Sequence, residues 1–358
     1  MELQTYNKGF YATLCSKEEI SKIETPESAD DYLLKLRANA TVEHTRIFRV
    51  LLARRRQLRN SWDFSNSFDR APFENYLKLL NHQDYEAAKN IAAGFVFCNK
   101  PNGSIINTNF GNIISLSLSL RYFLYFMNLA FLKFDNNDIP GDVVSSAIKI
   151  AMRTMLQNET LDFDIDPRGE IPPLIAAEID YHTDRQLEFV IAHEYSHFFL
   201  GHLDTKNIIE EPFLDSLDPE NFTQKVFSYA QQDELAADID AISRPSHSPI
   251  AREDMLNRAL FFFVYLDIFQ NIKEQISPSF NRFKTHPAPM DRFENLLHHF
   301  KDEIPTNKKN LENLLFFQNH IKESLIEDVA VNIESYETYG SIYLGSWHKK
   351  ALIDKIDY

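Results

Sequence analysis

Apolar residues recur at helical spacing over most of the chain. The spacing is clearest at residues 28–62 and 73–94, and it returns at 252–275 and 311–333. The β-branched run Ile105-Ile106-Asn107-Thr108 instead favours a strand. This pattern predicts an α+β fold that is predominantly helical.

A central helix is predicted from about Asp184 to Gly201. Thr183 and Gln186 have the spacing of a capping box at its start. Apolar residues lie on all sides of the middle turns, which is typical of a buried helix. Polar side chains in such a helix are costly unless they are hydrogen-bonded or bind a metal.

This helix contains His193-Glu194-Tyr195-Ser196-His197, an HExxH motif with two histidines one turn apart on one face. The motif offers two imidazole ligands to zinc and a carboxylate that can act as a general base. His193 and His197 are therefore predicted ligands of one Zn²⁺ ion, with Glu194 as the base. The alternative is a buried helix whose histidines and glutamate bond to neighbouring backbone.

A catalytic zinc ion takes three protein ligands, so a third must come from elsewhere in the chain. A metzincin would have glycine and histidine three and six residues after the second ligand. Leu200 and Leu203 occupy those positions, which excludes that class. A later helix is predicted, with Asp218 as its N-cap, Pro219 in its first turn and its end before Pro245.

Glu234 and Asp238 share one face of that later helix. With Glu234 as the third ligand, Asp238 one turn on can accept the second ring N–H of a ligating histidine and fix its tautomer. Asp233 and Asp240 lie on other faces and are the alternatives for the third ligand.

These motifs resemble those of the gluzincin metallopeptidases, whose signature is HExxH followed by E-x-x-x-D on a later helix. Within them the chain looks most similar to the HtpX/Oma-type peptidases and their soluble relatives. Gly201-His202 follows the first motif, and Thr285-His286-Pro287 precedes Arg292. The similarity covers roughly residues 180–296. A fainter similarity is to the Lit-type phage-exclusion peptidases. We do not infer from it that this chain has the same substrate.

The resemblance implies a zincin-like core with a small sheet beside the HExxH helix and extra helices at both ends. It supports Glu234 as the third ligand and implies hydrolysis of a protein or peptide substrate. An oxyanion donor is also needed from outside the two ligand helices. By resemblance His286 is the first candidate and Arg292 the second. The alternatives are a plain loop residue for His286 and an ion pair of Arg292 with Asp238 or Asp291.

The resemblance also suggests a division into three regions. Residues 1–100 are predicted to form an N-terminal helical region, 101–300 the metallopeptidase domain and 301–358 a C-terminal helical extension.

Composition limits the partners and the location. The net charge of −15 argues against a nucleic-acid partner, because binding phosphates requires a positive surface. An arginine cluster between Arg46 and Arg59 is typical of a solvated face. The two cysteines, Cys15 and Cys98, show no pairing pattern, and no secretory signal is visible at the start. A cytoplasmic protein is therefore expected.

One apolar segment is long enough to cross a bilayer. It runs from Ile113 to Phe134, but it contains Arg121 and Asn128, which are costly at mid-membrane depth. A buried scaffold helix is therefore expected, unlike the membrane spans of the HtpX-type enzymes. Residues 158–173 and 203–217 are predicted to be surface loops, and either is a candidate lid over the site.

Three functions follow from these patterns. The first is a soluble zinc-dependent endopeptidase, a hydrolase of one host or self protein that acts under a regulatory trigger and has a regulatory protein partner. The second is a catalytically weak metal-binding sensor or interaction module that uses the same metal site for partner recognition. The third is a repressor-cleaving regulator, which differs from the first only in its substrate.

Overall fold

The computed structural model describes residues 9–97, 103–134, 138–204, 206, 208–212, 223–277, 287–303 and 308–348. Contacts divide the chain into two compact units. The first comprises Met1–Leu120, Thr160–Asp166 and Gly201–Ser228, and the second comprises Arg121–Glu159, Pro167–Leu200 and Tyr229–Tyr358. The predicted division into three consecutive regions remains a prediction.

The first unit contains short helices and a mixed sheet. Residues 9–14 are helical, and the helices that follow are α1 Lys17–Glu24, α2 Ala29–Glu43, α3 Thr45–Leu58, α4 Ala71–Lys78 and α5 His82–Ala88. Its strands are β1 Ala92–Val96, β2 Gly103–Thr108, β3 Gly111–Ser117, β4 Ile208–Pro212 and β5 Thr223–Phe227.

The sheet has the strand order β1-β3-β2-β5-β4, in which only β1 and β3 are parallel. The strand predicted around Ile105 is confirmed as β2, which pairs with β3 through a tight turn. Gly111 adopts a φ of 113° in this turn, a conformation that glycine takes without strain. The prediction that 73–94 is helical throughout is wrong at its end, because β1 begins at Ala92.

The second unit is helical. Its first helix, α6 Leu118–Phe131, follows strand β3 directly in the chain. The later helices are α7 Gly141–Met155, α8 Pro173–Phe199, α9 Gln231–Ser243, α10 Pro249–Ile276, α11 Pro289–Phe300, α12 Lys308–Asn332 and α13 Glu334–Glu337. The predicted α+β class is thus confirmed. The placement of the sheet beside the HExxH helix and the zincin-like core remain predictions.

Helix α8 carries the HExxH motif and begins earlier than the sequence predicts. It starts at Pro173, whose fixed φ suits the first turn of a helix, and not near Asp184. Thr183 and Gln186 are therefore not a capping box. Both are fully buried, and the Asn128 side-chain amide of α6 donates to Thr183 Oγ1 at 3.0 Å and to Gln186 Oε1 at 2.9 Å. The oxygen atoms of this polar pair therefore accept from a distant part of the chain.

The start of the second ligand helix is also corrected. Helix α9 begins at Gln231 because strand β5 occupies Thr223–Phe227, so a helix opening at Asp218 is wrong. Asp218 and Pro219 themselves lie outside the described residues. The predicted end before Pro245 is confirmed, since α9 ends at Ser243.

Two predicted loops and the long apolar segment differ in detail. Residues 158–172 form an irregular loop, but Glu159 and Arg168 in it are buried. The stretch 203–217 contains strand β4. The apolar segment from Ile113 divides into the end of β3 and the buried helix α6. Within the described ranges, no helix combines the length and the apolar character needed to cross a bilayer.

Candidate metal centre

Helices α8 and α9 bring two histidines and one glutamate together. The Nε2 atoms of His193 and His197 are 3.2 Å apart. Glu234 Oε2 lies 3.6 Å from the first of these nitrogens, and Glu234 Oε1 lies 3.6 Å from the second. Two imidazole nitrogens and the two oxygens of one carboxylate therefore face one another.

The donor set can hold a metal ion. Across the described part of the chain, His193, His197 and Glu234 are the one group of three or more histidine, cysteine and acidic residues able to do so, and one ligand atom from each lies within 4.8 Å of the others. Two imidazoles and a carboxylate are ligands that divalent transition metals such as zinc and iron accept.

The position of the motif in its helix explains why these side chains are buried. The turns of α8 that carry the motif are packed in the core, and His193, Glu194 and His197 are at most 6% exposed. Gly201, with a φ of 75°, follows the C-cap residue Leu200 in the left-handed conformation that often ends helices. The motif thus occupies buried turns near the end of a 27-residue helix.

Asp238 and Arg292 hold the first histidine. The Nδ1 atom of His193 lies 2.9 Å from Asp238 Oδ1, so the carboxylate can accept the Nδ1–H and leave Nε2 as the ligand atom. Arg292 of α11 in turn donates to both Asp238 oxygens, at 2.7 Å from Nε and 2.5 Å from one terminal nitrogen. The predicted role of Asp238 has the geometry that it requires.

The charges of this cluster shift the pKa values of its members. Burial alone would raise the pKa of Asp238, but the Arg292 guanidinium outweighs burial and keeps it below its ordinary value. Burial alone would lower the pKa of His193, but the Asp238 carboxylate raises it to about 9 when no metal is bound. The Asp238 carboxylate thus strongly favours a positive charge on the His193 ring.

The net charge of the cluster matches a divalent ion. Glu194, Glu234 and Asp238 are three buried carboxyl groups, and Arg292 is the one guanidinium among the described residues of the cluster. With neutral histidines the cluster carries a charge of minus two. A divalent cation brings it to zero, which removes most of the cost of burying these groups.

Glu194 is buried in the same cluster, and its role as a general base remains a prediction. It is next to His193 in the chain, is 5% exposed, and is close enough to Arg292 that its charge helps to raise the pKa of that guanidinium. Arg292 itself lies against Asp238, His193 and Glu234, with its guanidinium over the Phe263 ring at 4.7 Å. The ion pair with Asp238, one of the alternatives expected for Arg292, is present. Its role as an oxyanion donor remains a prediction.

The other candidates are placed elsewhere. Asp233 accepts a hydrogen bond from the backbone N–H of Ala230 at the start of α9, and Asp240 pairs with Arg244 one turn on. Neither belongs to the converging group of ligand atoms. His286, the first candidate for the oxyanion donor, lies outside the described residues.

Tyr229 is a site residue that sequence reasoning missed. Its ring stacks on the His197 ring with centroids 3.6 Å apart and planes 8° from parallel. Burial, followed by the charges of Glu194 and Glu234, raises the pKa of Tyr229 well above its ordinary value, so the hydroxyl stays protonated. No motif marks it. The only available signal was an aromatic residue five positions before the predicted third ligand.

Comparisons of the chain with protein-family models, with curated proteins and with solved structures give no match. The likeness to gluzincins therefore rests on the motifs and on the arrangement of the residues that form them.

Proposed function

We propose that the chain is a zinc-dependent endopeptidase that hydrolyses peptide bonds of a specific protein substrate. One observation carries the proposal: His193, His197 and Glu234 each offer a ligand atom within 4.8 Å of the others, and Glu194 lies beside the two histidines on their helix. The resemblance to gluzincins supports the proposal. The cytosolic location remains a prediction from the sequence.

Each side chain has a distinct part in this proposal. His193, His197 and Glu234 would hold the ion. When bound, zinc would lower the pKa of a water molecule and polarise the scissile carbonyl group. Glu194 takes a proton from the attacking water and delivers it to the leaving nitrogen. Asp238 fixes the tautomer of His193 through the Nδ1 contact.

The substitution Glu194→Gln tests the proposal. It removes the base but no ligand, so zinc should be retained while proteolysis falls by about 100-fold or more. Metal content and cleavage of unfolded protein substrates are measured on the purified protein. Proteomes of cells that express the native and the variant forms are then compared to find the substrate.

The matched control is Glu178→Gln, the same change on α8 at a residue whose side chain is 43% exposed. It should leave both zinc content and proteolysis unchanged. If Glu194→Gln cleaves substrates as fast as the native protein, the proposed mechanism is wrong.

A second candidate function is a metal-binding sensor or interaction module with little catalysis. The burial of the three ligands favours it, since His197 and Glu234 are each only 1% exposed and a substrate carbonyl must reach the ion in an enzyme. In this case Glu194→Gln would keep zinc and leave the cellular phenotype unchanged.

A further inference from the structure

The two histidine ligands are supported in different ways. The His193 ring has the carboxylate of Asp238 at its Nδ1 atom, and Arg292 holds that carboxylate with two hydrogen bonds. The His197 ring lies face to face with the phenol ring of Tyr229, at a centroid distance of 3.6 Å and an angle of 8°. His193 is oriented through its Nδ1 atom, and His197 is oriented through the face of its ring.

A parallel stack at this distance is van der Waals contact over the whole imidazole face. Rotation of the His197 ring about its Cβ–Cγ bond would drive ring atoms into the phenol, so the stack restricts the ring plane. Because Nε2 lies in that plane, a fixed plane also fixes the direction of the lone pair that faces Glu234 at 3.6 Å.

Tyr229 is well placed to serve this purpose because its backbone is tied to the third ligand. It lies two residues before α9, and the carbonyl of the intervening Ala230 accepts the N–H groups of Asp233 at 3.0 Å and Glu234 at 3.2 Å. The Asp233 carboxylate accepts the Ala230 N–H in return. The ring on His197 and the Glu234 carboxylate therefore belong to one rigid turn.

We propose that Tyr229 is the positioning residue of His197, the aromatic counterpart of Asp238 at His193, and that it acts through its ring and not through its hydroxyl. The inference rests on the proposed metal site and deepens it, because it names what orients the second ligand. It predicts that removing the ring loosens the site while removing the hydroxyl does not.

The experiment compares Tyr229→Leu with Tyr229→Phe. Zinc affinity is measured by competition with a chromogenic chelator, and the visible absorption of the cobalt-substituted protein reports the geometry around the ion. Tyr229→Leu should weaken zinc binding about tenfold and change the cobalt spectrum. Tyr229→Phe keeps the stack, so its affinity should stay within about twofold of the native value with an unchanged spectrum.

The control is Tyr265→Phe, because Tyr265 is a fully buried tyrosine of α10 whose hydroxyl donates to Asn128 at 3.1 Å, outside the metal cluster. It should keep the native zinc affinity and cobalt spectrum even if it lowers stability. Circular dichroism establishes that each variant is folded before its affinity is compared.

The outcomes separate the two proposals. If the native protein binds zinc and Tyr229→Leu binds it equally well with the same cobalt spectrum, the positioning role is wrong while the metal site stands. If Tyr229→Phe loses as much affinity as Tyr229→Leu, the hydroxyl acts and not the ring, which also overturns the inference. If the native protein binds neither zinc nor cobalt, the proposed function itself fails.

Discussion

The helical unit buries two clusters of charged side chains that differ in how their hydrogen bonds are completed. In the first, the Glu159 carboxylate accepts Nε–H of Arg153 and Nε–H of Arg168, each at 2.9 Å, and the backbone N–H of Ile342 at 3.1 Å. The remaining nitrogens of Arg153 donate to backbone carbonyls of Asn158, Ser335, Thr338 and Gly340. We call it the closed cluster, because protein groups supply these hydrogen bonds.

The second cluster is the candidate metal centre. Its outer part, Asp238 and Arg292, is also closed by paired hydrogen bonds. Its inner part is different, because two histidine nitrogens and a carboxylate converge within 4.8 Å of one another. All of them are acceptors when each neutral histidine carries its proton on Nδ1. Acceptors that face one another repel unless a cation or a proton lies between them.

The difference separates a structural role from a binding role. The hydrogen bonds of the first cluster join Glu159 and Arg168 to α7 and to the segment after α12. Side chains whose acceptor atoms converge on one point are suited instead to hold a cation. Degree of burial does not distinguish the two clusters, since Glu159 is 2% and Glu234 1% exposed.

The largest expected effect comes from breaking the closed cluster. Arg153→Met should lower the free energy of unfolding by about 3–5 kcal/mol, because Glu159 loses one of its two arginines and four carbonyl groups lose a donor. Denaturant unfolding of the metal-free protein measures this.

The control for Arg153 is Arg70→Met. Arg70 pairs with Asp30 on the surface, where the two side chains are 53% and 65% exposed. That change should cost less than about 1 kcal/mol. Equal losses in the two variants would contradict the structural role of the closed cluster.

The next effect is on the outer part of the metal centre. Asp238→Asn should weaken zinc affinity about 10–100-fold, because a neutral amide no longer fixes the His193 tautomer or raises its basicity. Isothermal titration with zinc measures the change.

Asp240→Asn makes the same change two residues away on α9, where the carboxylate pairs with Arg244 instead. Its zinc affinity should remain native. A native affinity in Asp238→Asn as well would show that the contact to His193 Nδ1 does not support the ligand.

The smallest effect concerns His182, a histidine of α8 that belongs to neither cluster. Burial, with a smaller effect of the Arg258 charge, lowers its pKa to about 4. Because the folded pKa lies below the unfolded value of about 6.5, this histidine contributes stability above that pH and loses it as the pH falls towards 4.

The variant His182→Gln removes this titration. When the pH is lowered from about 7.5 to 5, the free energy of unfolding of the variant should therefore fall by about 1–2 kcal/mol less than that of the native protein. Denaturant unfolding at the two pH values gives the comparison. Identical pH dependence in the two proteins would show that His182 is protonated as easily in the fold as in the unfolded chain.

The candidate metal-binding residues could be predicted from the sequence because each of their two motifs depends on a short spacing. One helical turn separates His193 from His197 and Glu234 from Asp238, so local periodicity is enough to put each pair on one face. The helical character of the chain was predictable for the same reason, since the repeat of apolar residues is local.

The errors fall where distant residues decide the structure. Thr183 and Gln186 have the pattern of a cap, but their side-chain oxygens accept from Asn128 of α6 inside the core. The later ligand helix was placed too early because pairing of β5 with β2 and β4 draws residues 223–227 into a sheet. Tyr229 was missed because a ring stack leaves no periodic signal.

The most direct test of the central claim is the metal content of the purified protein. Native protein and the variants His197→Gln and Glu234→Gln are loaded with zinc, freed of excess metal by gel filtration and analysed by inductively coupled plasma mass spectrometry. The convergence of His193, His197 and Glu234 predicts one zinc ion per native chain and little or none in either variant. A native protein that holds no zinc, or variants that hold as much as the native protein, would contradict the metal centre and the peptidase built on it.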